Sequence, residues 1–314
     1  MGQNLVSDGS PFVVSEIIAK EIGLQLANRV SGFARHPAIT YAGDATYGGS
    51  SVIKMDFIDS GASALASTAE NTSVTPTEYS TTRSSITLAN YRLGRSVSDM
   101  LRSLSPSGVV RDIDAFVADA VSCYDLTLAN ALITAATGSF TQNVGVTETD
   151  LTWATFRSAV NTVIGQNAAY GDGGAVAVLH PQQWGDLLTD MAANTGGLGL
   201  SQSGQAALEA QAPGDGYRGR FFGCDIFTST AIPKTNADKD YNGFLTTPGG
   251  LVWASAAMVP SMDSDSEILA DGGKLLVEFS RDAGKAMTEI YYSCLVGVAA
   301  GQTAAGCRIV SEVA

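Results

Sequence analysis

The strongest periodicity in the chain is helical. Val109, Val110, Ile113, Phe116, Val117, Ala120, Val121, Tyr124, Leu128 and Leu132 recur at the three-and-four spacing that lines one face of a helix. Ser105 or Ser107, beside Pro106, supplies a start signal, and Gly138 a stop. At ~1.5 Å per residue this run spans roughly 45 Å, long for a globular domain and suited to a beam across an elongated subunit. A period of two governs residues 51–59, SVIKMDFID. Ile53, Met55 and Phe57 face one side, Lys54 and Asp56 the other, as in a half-exposed strand. Small polar residues then run from Ser60 to Thr77, and residues 78–92, EYSTTRSSITLANYR, read as a second strand. Two strands with a long small-residue tip predict a protruding hairpin. Such a hairpin is marginal alone in water and must lie on something, either its own domain or a neighbouring molecule.

Upstream, Ser15 caps a helical stripe of Ile17, Ile18, Ile22, Leu26 and Val30, and Lys20, Arg29 and Arg35 make this arm locally positive. The arm is either a docked amphipathic helix or a segment that reaches a neighbouring subunit or faces DNA; the second reading is preferred. Ser96 with Asp99 forms a capping-box variant that opens a short helix through Leu104.

Beyond Asp150 the pattern becomes α/β. Trp153, Phe156, Val160, Val163 and Ile164 mark a helix that stops near Gly165. AVAVLH (175–180) is a short buried strand, and Pro181 opens a helix with Trp184, Leu187, Leu188 and Met191 on one face. Residues 194–220 read as a loop with a short helix near 205–210. Strands are predicted at 223–233, 243–247 and 251–257. Another pair, 274–282 and 285–298, flanks Ala283-Gly284, and CRIVSEV forms the last strand. No fixed-period repeat is present.

Composition narrows the reading. The 314 residues suffice for about two domains, and 45% hydrophobic content argues against disorder. Only 16% of residues are charged and 34 are glycine. That fits a surface buried against neighbours, but also a small-residue-rich enzyme. A net charge of −13 excludes a DNA-wrapping protein, which needs cations to displace counterions from phosphate; a container for DNA has no such need. Cys123, Cys224, Cys294 and Cys307 lack CxxC spacing and read as buried reduced thiols. The start, MGQNLVSDGS, lacks the features of a signal peptide, and no apolar run is long enough to span a membrane, so assembly in the cytoplasm is expected.

Enzyme and cofactor signatures are absent. There is no GxxxxGK[ST], no GxGxxG after a strand and no GxSxG. A hydrolase would need His36 or His180; His180 stands at a strand end, where capping backbone groups is the simpler role. Asp263, Asp265 and Glu267 alternate but lack the glycine and final glutamate of an EF-hand loop, so they read as a solvated acidic loop. No catalytic residue, cofactor or metal is expected.

The order of arm, long hairpin, long helix, α/β insertion and terminal ribbon resembles the HK97-like α+β fold of tailed-phage capsid proteins. VLHPQQWGDLL (178–188) and GRFFGCDIFTSTAIP (219–233) are the most telling segments. Both are similar to stretches of the axial domain of such proteins. The resemblance implies an N-terminal arm (1–35), an extended β-hairpin loop (36–95), a peripheral domain with a long spine helix and β ribbon (96–149 and 266–314), and an axial α/β domain (150–265). It implies a major capsid protein that forms hexamers and pentamers of a virion shell around double-stranded DNA, without sequence-specific binding. The candidate inter-subunit residues are Ile53, Lys54, Asp56, Phe57, Glu70, Glu78, Arg83 and Arg92, with Lys20 and Arg29 on the arm.

A portal is a further expected partner and a decoration protein an optional one; no membrane partner is expected. Because only about 35 residues precede the hairpin, a separate scaffolding protein is expected rather than a cleaved scaffold segment. The Lys–Asn crosslink of some members is not carried over, since Lys54 lies at the hairpin base and the tip has no lysine. An encapsulin-like nanocompartment and a tail or decoration protein remain the alternatives.

Overall fold

The computed structural model describes residues 33–45, 51–59, 80–100, 108–166, 174–193, 216–258, 267–270 and 274–312. In chain order the strands are β1 (Ile39–Ala45), β2 (Val52–Asp59), β3 (Ser80–Thr87) and β4 (Ala89–Ser98). Helix α1 (Gly108–Ser139) follows, then β5 (Gln142–Val144), α2 (Trp153–Gln166), β6 (Ala175–Leu179) and α3 (Pro181–Ala193). The remainder is strand: β7 (Tyr217–Phe221), β8 (Cys224–Thr228), β9 (Lys234–Thr235), β10 (Asp240–Thr246), β11 (Leu251–Ala256), β12 (Glu267–Ala270), β13 (Leu275–Asp282), β14 (Met287–Ala300) and β15 (Gly306–Glu312).

The long helix forms as its stripe predicts. Over 32 residues α1 is about 48 Å long. Val117, Ala120, Val121, Tyr124, Leu128, Leu132 and Ile133 are buried in one core with residues of both sheets, including Val277 and Tyr292 on one and Val178 and Phe244 on the other. Burying each large apolar side chain contributes about 1.5–3 kcal/mol, so this stripe dominates the helix's stability. The Ser122, Thr127 and Thr137 hydroxyls donate to the carbonyls of Ala118, Cys123 and Ile133, one turn back, which satisfies polar groups locally.

The first sheet is organised by β14. One edge pairs antiparallel with β4 along ten residues. The other edge pairs with β13 from Met287 to Cys294 and with β11 from Leu295 to Ala300. β12 flanks β13, and β1 runs parallel to β11. The second sheet has the order β5-β15-β10-β6-β8-β7, with β9 beside β10. Its central strand β6 is buried at every residue. Helices α2 and α3 share a second core with it, through Phe156, Val160, Trp184 and Leu187.

Sheet membership departs from the sequence division in three places. β11, expected with the insertion, lies in the first sheet beside β14. β15, expected in the terminal ribbon, lies in the second sheet between β5 and β10. The single strand expected over 78–92 is broken at Leu88: β3 pairs with β2, while β4 continues to Ser98 in the first sheet. Ser96 is therefore a strand residue opposite Glu289 rather than a helix cap. Helical backbone begins at Asp99 and Met100, and residues 101–107 lie outside the described set. β7, in the stretch read as loop, is a short edge strand carrying Arg218 and Arg220.

Helix α3 also holds a carboxyl in an unfavourable place. Asp186 on α3 is pushed above the ordinary carboxyl range, first by burial and then by Asp150, with the Leu151 amide acting in the opposite direction. Its Oδ2 is buried without a hydrogen-bond partner. Since folding disfavours the charged form, stability is fully present below the ordinary carboxyl value and is lost as pH rises through the folded value. Asp186→Asn should therefore unfold at higher urea concentration than the parent at pH 8, with the two converging near pH 4. Coincident urea midpoints at pH 8 would count against this account.

Candidate assembly surface

The hairpin β2–β3 is a two-stranded sheet of its own, with Val52 opposite Thr87 and Asp59 opposite Ser80. The alternation of β2 sets its two faces. Lys54 and Asp56 are exposed, while Ile53, Met55 and Phe57 are half-buried against Ile86, Val252 and Ala254 of the same chain. On the outer face Arg83 grips Asp56 with two hydrogen bonds, Nε to Oδ1 at 2.6 Å and Nη2 to Oδ2 at 3.0 Å. This hydrogen bonding holds the Asp56 carboxyl below its ordinary range.

The root of the hairpin is seated on the first sheet. Ile86 is fully buried, and the Ser84 hydroxyl donates to the Ala300 carbonyl at 2.8 Å. A side chain at Gly297 would lie 2.7 Å from Ile86 Cγ2 and 2.7 Å from the Thr87 carbonyl oxygen. A side chain at Gly301 would overlap the Gly249 carbonyl oxygen and lie 2.9 Å from the Phe57 ring. Neither Ile86 nor Ser84 is among the residues predicted for this surface. Their signal is that they share a strand face, visible only once Gly297 of β14 and Gly301 just after it are known to lie beneath.

Beside the hairpin, the face of the first sheet opposite α1 is polar. Arg92 donates to Glu278 at 2.8 Å and its guanidinium sits 4.8 Å from the Tyr291 ring centroid. The Tyr291 hydroxyl donates to Glu289 at 2.6 Å, which raises its pKa. Of the ten candidate residues, the structure thus places Ile53, Lys54, Asp56, Phe57 and Arg83 on the hairpin root and Arg92 on this adjoining face. Lys20, Arg29, Glu70 and Glu78, with the arm and hairpin tip, lie outside the described residues, as do Asp263 and Asp265.

The residues considered for chemistry are engaged structurally. His180 Nδ1 accepts the Gln182 N–H at 3.2 Å, and its ring stacks on Tyr241 with centroids 3.7 Å apart. Burial, then Lys234, lowers its pKa. His36 Nδ1 accepts the Ala38 N–H at 3.1 Å, which leaves Nε2 to donate to Asp225 at 2.9 Å. This pins the segment before β1, in the first sheet, to β8 in the second. Burial pushes the Cys294 thiol to about 11 and Cys307 to about 12, and Cys224 well above its ordinary value, so these thiols are unreactive. Among the described residues no group of three His, Cys, Asp or Glu side chains is placed to hold a metal, and no helix is long and apolar enough to cross a membrane.

No protein-family model and no curated protein matches the sequence. Solved structures do match over nearly the whole chain. The capsid of Ralstonia phage GP4 superposes with a TM-score of 0.65 at 11% identity, covering 92% of this chain and 91% of that one. The capsid of cyanophage P-SCSP1u gives 0.57 at 12% identity, over 90% and 88%. The SrpI encapsulin of Synechococcus elongatus PCC 7942 gives 0.53 at 12% identity, over 86% and 84%. The mixed α+β fold is thus one that phage capsid and encapsulin chains share.

Proposed function

We propose that this chain is the major capsid protein of a tailed bacteriophage, acting by assembly rather than catalysis. The observation that carries the reading is the match to the GP4 capsid across more than nine-tenths of both chains. In this reading α1 is the spine helix, the first sheet belongs to the peripheral domain, the second to the axial domain, and β2–β3 with residues 60–79 is the extended loop. Copies form hexamers and pentamers that close around double-stranded DNA in the virion, after assembly in the host cytoplasm. A scaffolding protein guides closure and a portal occupies one vertex.

Physical support comes from the surface. The outer pair of the hairpin, Asp56 with Arg83, is exposed and worth little to the isolated subunit. Each contact between copies can be weak, because a subunit in a closed lattice makes many at once. The negative net charge suits a container that must not bind its cargo tightly.

The encapsulin match supports a second reading, in which the shell encloses protein. Purified particles decide between them. Closed shells holding nuclease-protected double-stranded DNA when isolated from lysed host cultures are the expected result. Shells filled with a co-purifying protein would favour the encapsulin reading, and a strictly monomeric chain under all conditions would sink both.

A further inference from the structure

We infer that the hairpin root is latched onto the first sheet within the isolated subunit, so that the direction in which residues 60–79 are launched is set before any neighbour arrives. The inference rests on the shell reading for its purpose, though not for its geometry.

Three features build the latch. Two glycines form its floor: Gly297 within β14, under Ile86 and Thr87, and Gly301 just after it, under Phe57. Gly249, in the turn before β11, holds φ at +86° and presents its Cα to the same Phe57 ring at van der Waals distance for an added Cβ, 3.7 Å. The hydrogen bond from Ser84 to the Ala300 carbonyl then fixes the root along the strand. Side chains at Gly297 or Gly301 would lift the hairpin, so the close approach requires glycine at both. The apolar contact of Ile86, Val252 and Ala254 supplies the burial that a lone two-stranded hairpin lacks.

The consequence is economical for assembly. A loop that had to be ordered on contact would lose conformational entropy at each new interface, whereas a latched root has lost it already during folding. Phe57, Ile86 and Gly297 are accordingly positioning residues: they aim the segment that meets a neighbour.

The test uses the full-length chain held unassembled at low concentration. Spin labels are placed at Lys54→Cys and Lys285→Cys, both exposed sites, in a Cys123→Ser background; the other thiols are buried. A single narrow distance distribution is expected. It should broaden in Gly297→Ala, while Cys294 and Cys307 stay protected from thiol reagents, and the shells of that variant should vary in size and shape. Should Gly297→Ala expose those thiols, Phe57→Ala, which empties the seat without adding bulk, takes its place. A broad distribution in the parent chain overturns the latch even if that chain forms good shells. A narrow distribution in a chain that never forms shells upholds the latch and removes the shell reading. Uniform parent-like shells and an unchanged distribution in both variants also overturn it.

Discussion

Gln183→Leu is expected to lower the melting temperature by about 10 °C, or to abolish soluble expression. Gln183 lies in the first turn of α3 with no exposed surface. Its Oε1 accepts the His180 N–H at 3.0 Å, and its Nε2 donates to Ser311 Oγ at 2.9 Å and to the Ile309 carbonyl at 3.3 Å, with the Tyr241 carbonyl at 3.5 Å. One amide thus ties the β6–α3 junction to β15 and β10. Gly243 makes the room, because a Cβ there would come within 2.8 Å of Oε1 and 2.9 Å of the Val178 carbonyl oxygen. Leucine keeps most of the volume but strands several buried polar groups. Each costs about 1–3 kcal/mol, for a total of order 3–5 kcal/mol, a large share of a typical folding free energy of ~5–15 kcal/mol. Thermal and urea unfolding measure the loss. Gln183→Glu sharpens the test. A carboxylate facing two carbonyl oxygens has its pKa raised on folding, so that variant should be weakest at high pH and recover toward acid pH. A leucine variant that melts within about 2 °C of the parent would show that the hub carries no net stability.

The same residue marks the limit of what a sequence reveals. The strand, proline and helix at 175–193 are legible because each depends on neighbours in the chain: a run of five apolar residues, then a proline that fits a first helical turn. The stripe of α1 and the alternation of β2 are local in the same sense. Pairing is different. LVWASA in β11 is buried on both faces and would suit either sheet; it is the approach of Leu251–Ala256 to β14 and β1 that decides. β15 is equally ambiguous until its register with β10 is known. The candidate surface divides along the same line. Alternation alone puts Lys54 and Asp56 on the outer face, whereas the seat of Phe57 and Ile86 depends on Gly249, Gly297 and Gly301, which periodicity does not connect to them. β7 escapes a reading by pattern because YRGRF is only five residues long, has glycine at its centre and no β-branched residue, and its strand character comes from pairing with β8.

Removing residues 60–79 is expected to leave a well-folded subunit that cannot build a stable shell. The geometry offers a clean way to do it. Asp59 and Ser80 are cross-strand partners, so an Asn-Gly pair joining them closes the hairpin with a two-residue turn whose twist matches the strands. Everything that seats the root stays in place, including Ile86, Phe57 and the Ser84 hydrogen bond. The deleted stretch, SGASALASTAENTSVTPTEY, is small and polar and offers little to a core. Melting within about 2 °C of the parent, with Cys224, Cys294 and Cys307 still protected, is therefore the expected monomer result. Assembly should respond out of proportion. An interface removed from one subunit is removed from every copy, and a closed lattice held by many weak interfaces fails together when one class disappears. Negative-stain microscopy and sedimentation read the outcome directly: shells at parental yield would assign assembly to other surfaces, and an unfolded subunit would place residues 60–79 in the chain's own core.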